Sequence, residues 1–182
     1  MRRFSYVFLL PLVATSSATS PRIDSAFAWP ATTAEAGAGA SLRPVHWLVV
    51  GGESPRAVVS GRTVPITVQA DIAKGWHIYS LNQKPGGPIP LRLELLGASN
   101  VTVRGVVSAP KPERTFDKNF GIETELYSGS PRFTIPVGVA GNSPAGIRKF
   151  QIGARYQVCS DKLCLPPRTD KLDAVIRIST KS

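Results

Sequence analysis

Cysteine, histidine and methionine are the scarcest of the chemically versatile side chains in this sequence. It contains two cysteines, two histidines and one methionine among 182 residues. Zinc needs about four ligands, whereas the two cysteines, Cys159 and Cys164, have no histidine beside them. A hydrolytic cysteine needs a histidine partner, and neither His46 nor His77 is close to them in the chain. The composition therefore argues against a metal centre and against papain-like catalysis.

Long apolar runs are also missing. The longest, "FSYVFLLPLVA", lies near the N-terminus and is shorter than the roughly 20 residues that a membrane-spanning helix needs. It follows Arg2 and Arg3 and precedes small-residue sites that end at Ala18 and Ala28. This is the layout of a cleaved secretory signal, so we predict a signal peptide over residues 1–28. A retained N-terminal anchor is the alternative.

No long run carries charge of one sign. The sequence has 22 Lys and Arg against 12 Asp and Glu, a net charge of +10. Removing residues 1–28 takes away three arginines and one aspartate, which leaves +8. Because the basic residues are dispersed, they favour a basic soluble surface over a nucleic-acid-binding stripe. Acidic proteins and anionic membrane surfaces stay open as partners.

The apolar residues recur with a period of two, and no stretch shows a convincing helical stripe. Turn signals such as "KPGGP" and "GNSPAG" separate the alternating segments. The sequence therefore predicts an all-β fold, an immunoglobulin-like antiparallel β-sandwich over residues 45–182. Residues 29–44 are small and polar and predict a flexible leader. The predicted strands cover residues 63–72, 90–96, 100–107, 132–139, 148–158 and 171–180.

One long segment, residues 109–129, resists the strand pattern because it is charged and interrupted by prolines. We predict a loop here, and loops of this length within a compact domain are often functional. Its three aromatic residues are Phe116, Phe120 and Tyr127. They must pack in the core, against another surface, or against a partner.

The cysteine pair lies in "YQVCSDKLCLPPR". "SDKL" can form a four-residue hairpin loop that places Cys159 opposite Cys164, within reach of a disulfide. A ring of this size gains only about 2 kcal/mol from loop entropy, which favours a bond that opens and closes. Pro166 and Pro167 cannot donate to a ladder, so this side of the hairpin is expected at an edge or a bulge, within reach of another protein. Redox exchange and a structural staple both stay open.

The motif "YQVCSDKLCLPPRT" resembles the signature of the N-terminal periplasmic domain of the thiol:disulfide interchange protein DsbD. Two further stretches resemble that family in the same order: "KGWHIYSLNQKPGGPIPLRLEL" (74–95) and "FDKNFGIETELYSG" (116–129). Together the matches extend over roughly residues 45–180. The resemblance implies an immunoglobulin-like sandwich that carries a redox pair on a hairpin.

The resemblance also assigns roles to residues. Cys164 would form mixed disulfides with partner thiols, and Cys159 would resolve them. The cap loop, residues 116–121, would shield the disulfide; its candidate residues are Phe116, Asp117, Asn119, Phe120 and Gly121. From the residues alone, Phe120 is as well explained as an anchor of its loop as it is as a shielding ring. Residues proposed to line the site are His77, Tyr79, Tyr156 and Gln157, with core packing as the alternative for both tyrosines and solvent exposure for Gln157.

This sequence departs from the family pattern at three points. The best-known members have five residues between the cysteines, and this chain has four. The acidic pair of the cap is reduced to Asp117 followed by Lys118. Asn119 and Phe120 stand where the family has Phe-Tyr.

The functional expectation is a periplasmic thiol–disulfide exchange protein, a component of a protein-disulfide reductase system. By resemblance, electrons would come from a thioredoxin-like donor, with a membrane-bound conduit as a candidate route, and would pass to oxidised thioredoxin-fold proteins or cytochrome c maturation factors. We expect a free-standing monomeric domain without cofactor or metal, since the dithiol itself carries the electrons. The alternative is a non-catalytic immunoglobulin-like binding module with a structural hairpin disulfide.

Overall fold

The computed structural model describes residues 42–52, 54–97 and 100–180, in which all regular secondary structure is β. In this part of the chain no helix is long and apolar enough to cross a membrane. The strands are β1 (Val45–Val49), β2 (Arg56–Val59), β3 (Thr63–Ile72), β4 (Trp76–Tyr79), β5 (Arg92–Leu96), β6 (Val101–Val103), β7 (Glu113–Asp117), β8 (Ile122–Tyr127), β9 (Arg132–Val139), β10 (Gly146–Tyr156), β11 (Val158–Ser160) and β12 (Arg168–Ser179).

Two four-stranded sheets form the sandwich. The first has the strand order β1-β3-β9-β6 and the second β2-β12-β10-β5. Strand pairs are antiparallel except for β2, which runs parallel to β12. Alternate residues of β3, β9, β10 and β12 are buried in one shared hydrophobic core, because successive side chains of a strand point to opposite faces. The predicted all-β sandwich is confirmed.

A third sheet, with the order β11-β4-β8-β7, carries the cysteine pair. The prediction of a loop over 109–129 is wrong, since most of this segment is the β7–β8 hairpin. Polar cross-strand pairs replace the expected apolar alternation: Thr115 lies opposite Thr124, and Arg114 forms a 2.8 Å ion pair with Glu125. Such pairs stabilise a hairpin, although they leave no hydrophobic periodicity in the sequence.

The predicted strands 63–72 and 132–139 coincide with β3 and β9. The predicted strand 148–158 instead divides at Gln157, where the chain leaves the second sheet and enters the third. The Gln157 side-chain oxygen accepts a 3.0 Å hydrogen bond from the Ile89 backbone N–H at this point. The change of sheet places Cys159 outside the sandwich core.

Phe133 tests the core. Its side chain is fully buried, with ring centroids 5.9 Å from Trp47 and 5.1 Å from Tyr127. We expect Phe133→Ala to lower the free energy of unfolding by about 3–5 kcal/mol, because it removes a large apolar group and leaves a cavity. Urea denaturation measures the change. Val106→Ala is the control, since Val106 is 90% exposed; equal losses in both variants would contradict this core assignment.

Candidate functional site

A disulfide joins Cys159 and Cys164 across a tight hairpin, residues 158–165, which we call the disulfide hairpin. The sulfurs are 2.04 Å apart and the Cα atoms 4.0 Å apart. The two residues pair as an isolated antiparallel bridge, in the non-hydrogen-bonded position where opposed side chains approach most closely. Backbone hydrogen bonds close the hairpin on both sides: Ser160 N–H to Leu163 O and Leu165 N–H to Val158 O, each 2.9 Å.

The two sulfur-bearing residues differ in exposure. Cys159 lies in β11, pairs with His77 of β4, and is fully buried. Cys164 is partly exposed on the outer arm, which pairs with β11 only at that residue and continues into Pro166 and Pro167. Cys164 is therefore the more accessible of the two residues, whereas Cys159 is sheltered. Placement of this arm at an edge agrees with the prediction from the two prolines.

The disulfide packs in a small hydrophobic cluster separate from the sandwich core. Its buried members are Tyr79, Leu126 and Cys159, and Cys164 packs against them. Tyr79 lies in β4 directly opposite Leu126 of β8, so the third sheet itself brings these residues together. Leu126 was not among the residues singled out from the sequence, because it falls in the segment predicted to be a loop.

Asp117 organises the cap loop. This residue is buried, and its Oδ2 accepts a 2.6 Å hydrogen bond from the Tyr79 hydroxyl. Its Oδ1 accepts the backbone N–H groups of Asn119 and Phe120, at 2.8 and 3.3 Å. The chain then turns at Gly121, whose φ of +67° lies in the left-handed region that glycine tolerates best. The Asp117 carboxylate therefore shapes the turn and connects it to Tyr79, a member of the disulfide cluster.

The cap loop touches the disulfide hairpin through Asn119. The Asn119 side-chain amide donates a 3.0 Å hydrogen bond to the Ser160 carbonyl, next to Cys159. The Phe120 ring packs edge-on against Tyr79, with centroids 5.9 Å apart. Phe116 points outward and is 57% exposed. The structure thus brings Asp117, Asn119 and Phe120 to the site and leaves Phe116 at its rim.

His77 and Tyr79 form a polar chain behind the disulfide. The Tyr79 hydroxyl has one proton, which it donates to Asp117, so the His77 Nε2 at 3.3 Å is left to donate to the hydroxyl oxygen. Burial raises the pKa of Tyr79 far above its usual range, and the bond to Asp117 adds to this. Burial also lowers the pKa of His77, against the opposing charges of Asp117, Asp161 and Glu113. His77 is therefore neutral at pH 7.

Neither Tyr156 nor Gln157 belongs to the hydrophobic cluster around the disulfide. Tyr156 belongs to the sandwich core, with its ring 5.7 Å from Trp47 and its hydroxyl donating to Asp170 at 2.7 Å. Gln157 holds the Ile89 backbone, as described above. Their placement assigns Tyr156 to core packing and Gln157 to the change of sheet. The Ser160 carbonyl, missed from the sequence, is the acceptor that the cap loop uses.

The class of protein that this fold and site define is an immunoglobulin-like sandwich with a partly exposed hairpin disulfide. A family model described as "Thiol:disulfide interchange protein DsbD, N-terminal" matches residues 48–176. This range is more than two thirds of the chain. The chain belongs to the DsbD N-terminal domain family.

Three solved structures are among those similar to this chain. The N-terminal periplasmic domain of ScsB from Proteus mirabilis has a TM-score of 0.50 and 18% identity, covering 71% of this chain and 44% of that one. The reduced DsbD N-terminal domain of Neisseria meningitidis has a TM-score of 0.46 and 19% identity, covering 75% and 94%. The complex of the DsbD and PilB N-terminal domains from Neisseria meningitidis has a TM-score of 0.45 and 17% identity. This match covers 74% of this chain and 87% of that one. No curated protein sequence matches the chain.

The pKa of His77 tests the electrostatics of the site. We expect a midpoint below the ordinary 6.5 in an NMR titration of the oxidised protein, because burial disfavours the imidazolium. Since the unfolded chain then binds the proton more tightly, His77 reduces stability as the pH falls from 6.5 toward the folded pKa. Asp117→Asn should lower the midpoint further, because the Asp117 charge raises this pKa. A midpoint at or above 6.5 would be inconsistent with the buried, neutral ring.

Proposed function

We propose that this protein is an exported thiol–disulfide exchange domain. It takes two electrons from a thioredoxin-like donor and passes them to oxidised exported proteins through Cys159 and Cys164. The observation that carries the proposal is the disulfide itself, with Cys164 partly exposed at an edge and Cys159 buried behind it. Membership of a thiol:disulfide interchange family supports the same chemistry.

The difference in exposure between the two cysteine residues sets the order of the steps in this proposal. A donor thiolate attacks Sγ of Cys164, forms a mixed disulfide, and expels Cys159 as a thiolate that takes a proton from solvent. The second donor thiol then attacks the donor sulfur of this bond, so Cys164 is released and the donor leaves as a disulfide. In the second half, Cys164 attacks the acceptor disulfide, and Cys159 attacks Cys164 to release the reduced acceptor.

The cap loop controls access in this proposal. With Asn119 bonded to Ser160 and Phe120 packed on Tyr79, a partner must displace the cap loop before its thiol reaches Cys164. This shielding limits reaction with unintended thiols and disulfides. In the family's usual pattern an aromatic residue stands at the position of Asn119, so this chain holds its cap by a hydrogen bond at that position.

Export and the partner class belong to the same proposal. The predicted signal peptide, residues 1–28, lies outside the described residues, as does most of the leader 29–44. The matched residues 48–176 fall within the predicted domain 45–182. A DsbD N-terminal domain from Neisseria meningitidis has been solved in complex with a PilB N-terminal domain, which supports a protein partner. Thioredoxin-fold proteins and cytochrome c maturation factors are the proposed acceptors.

Serine variants of the two cysteines test the relay. We expect Cys164→Ser to abolish electron transfer from reduced thioredoxin, because the accessible sulfur is gone. Cys159→Ser, mixed instead with oxidised thioredoxin, should form a mixed disulfide at Cys164 and release one thioredoxin thiol, since this chain then lacks its resolving thiol. Non-reducing electrophoresis and intact mass measure both products. Electron transfer that survives Cys164→Ser would overturn this assignment of roles.

The reduction potential separates this proposal from a binding module with a structural staple. Equilibration against glutathione or dithiothreitol buffers should give about −200 to −270 mV for an exchangeable bond. A value below about −300 mV, with no reaction toward reduced thioredoxin, would favour the binding module.

Asn119→Ala tests the cap loop. It removes a hydrogen bond that contributes about 0.5–1.5 kcal/mol. A free-energy change of that size makes the equilibrium constant for cap opening about 2- to 13-fold larger. We expect the initial rate of disulfide reduction by dithiothreitol to rise by that factor. Lys118→Ala, an exposed residue of the same turn, is the matched control. Equal rates for the parent and both variants would show that this bond does not hold the cap.

A further inference from the structure

We infer that the surface beside the disulfide selects partners with a lysine or arginine next to their reactive cysteine. The inference rests on the proposed function, because it concerns what docks where the mixed disulfide forms. It concerns the charge of the partner, which the relay chemistry alone leaves open.

A groove of about 410 Å³ flanks the disulfide hairpin. It lies between β4, the cap loop and the loop that joins the two cysteines, and its polar lining includes His77, Glu113, Asp117, Asn119 and Asp161. Asp161 is three residues before Cys164 in the same short loop. A protein bound to Cys164 through a mixed disulfide therefore contacts the loop that forms one side of this groove.

The groove is acidic. The carboxylates of Glu113, Asp117 and Asp161 line it, against the single ammonium of Lys118. Asp117 is engaged by Tyr79 and by the backbone of the cap loop. Glu113 and Asp161 are exposed, and within the described residues neither forms an ion pair. Two carboxylates without an ion pair thus line the groove, while Lys162, next to Asp161 in the loop, lies outside the groove lining.

This acidity runs against the composition of the chain, whose net charge is +10. The strands of the third sheet contain four acidic residues and one arginine. The strands of the second sheet contain eight Lys and Arg and three acidic residues. Negative charge is therefore concentrated on the sheet that carries the disulfide, while most of the positive charge on strands lies elsewhere.

Apolar side chains complete the surface. Phe116 is 57% exposed in the groove lining, and Leu163, beside Cys164, is 43% exposed. Apolar contact bordered by charge is the usual composition of a protein–protein interface. Charge complementarity raises association rates and rejects partners of the wrong sign. A cation beside the attacking cysteine would also offset the repulsion between its thiolate and the two carboxylates.

Small thiols of different charge test this without an identified partner. The oxidised protein is reduced at low ionic strength with cysteamine, which carries an ammonium, with neutral 2-mercaptoethanol, and with anionic mercaptoacetate. Each rate constant is corrected for the thiolate fraction of the thiol. It is then divided by the rate constant of the same thiol with uncharged bis(2-hydroxyethyl) disulfide, so that differences in intrinsic nucleophilicity cancel. Because a unit charge pair about 7 Å apart in water changes a rate about threefold, we expect cysteamine to exceed mercaptoacetate by about three- to tenfold.

A matched pair of double variants locates the effect. Glu113→Gln with Asp161→Asn should bring the cysteamine-to-mercaptoacetate ratio close to one. Glu94→Gln with Asp173→Asn makes the same chemical changes at two exposed residues of the second sheet and should leave the ratio unchanged. About 0.5 M NaCl should reduce the ratio in the parent protein, because salt screens exposed charges.

The outcomes separate the two proposals. If 2-mercaptoethanol reduces the disulfide but the ratio is near one in the parent, the partner inference is overturned and the exchange function stands. The same holds if both double variants lower the ratio equally, since the effect would then come from net charge. If no thiol reduces the disulfide in the folded protein, both proposals fail.

Discussion

The arrangement around the disulfide depends on the hydrogen bonds that the buried carboxylate of Asp117 accepts. It accepts the Tyr79 hydroxyl on one oxygen and two backbone N–H groups of the cap loop on the other. A buried carboxylate without such donors would be strongly unfavourable. The need to satisfy this one group therefore fixes the cap loop against β4, and through β4 against the cysteine pair.

The sandwich supplies the frame for that arrangement. Its core is shared by two sheets, and the third sheet is attached where the chain crosses over at Gln157. Because β11 is only three residues long and lies at the edge of its sheet, the hairpin exposes one sulfur-bearing residue and buries the other. In the proposed exchange, that asymmetry decides which cysteine meets the partner thiol.

Two demands meet at this site. In the proposed relay, the disulfide is shielded between encounters and is reachable during them. The Asn119–Ser160 bond and the Phe120–Tyr79 packing are each modest, so a docked partner can replace them. By our inference, the carboxylates that border the groove add a requirement on the charge of that partner. The proposed shielding, access and selectivity thus depend on separate groups around one bond.

Much of the fold could be read from the sequence because strands with one buried face leave a period of two. The segments 63–72 and 132–139 match β3 and β9 for that reason. The β7–β8 hairpin could not be found this way, because it is stabilised by polar cross-strand pairs such as Arg114 with Glu125. The division of 148–158 between two sheets was also hidden, since alternation continues whichever sheet a strand joins.

For the site, the sequence by itself determined the cysteine pair, the hairpin that closes it, and the break in regular pairing that Pro166 and Pro167 impose. These depend on neighbours along the chain. Only the tertiary structure decided that Tyr79 belongs to the disulfide cluster while Tyr156 belongs to the core. It also decided that Asn119 reaches Ser160, 41 residues away. Such contacts depend on how sheets meet in space, and local patterning carries no record of that.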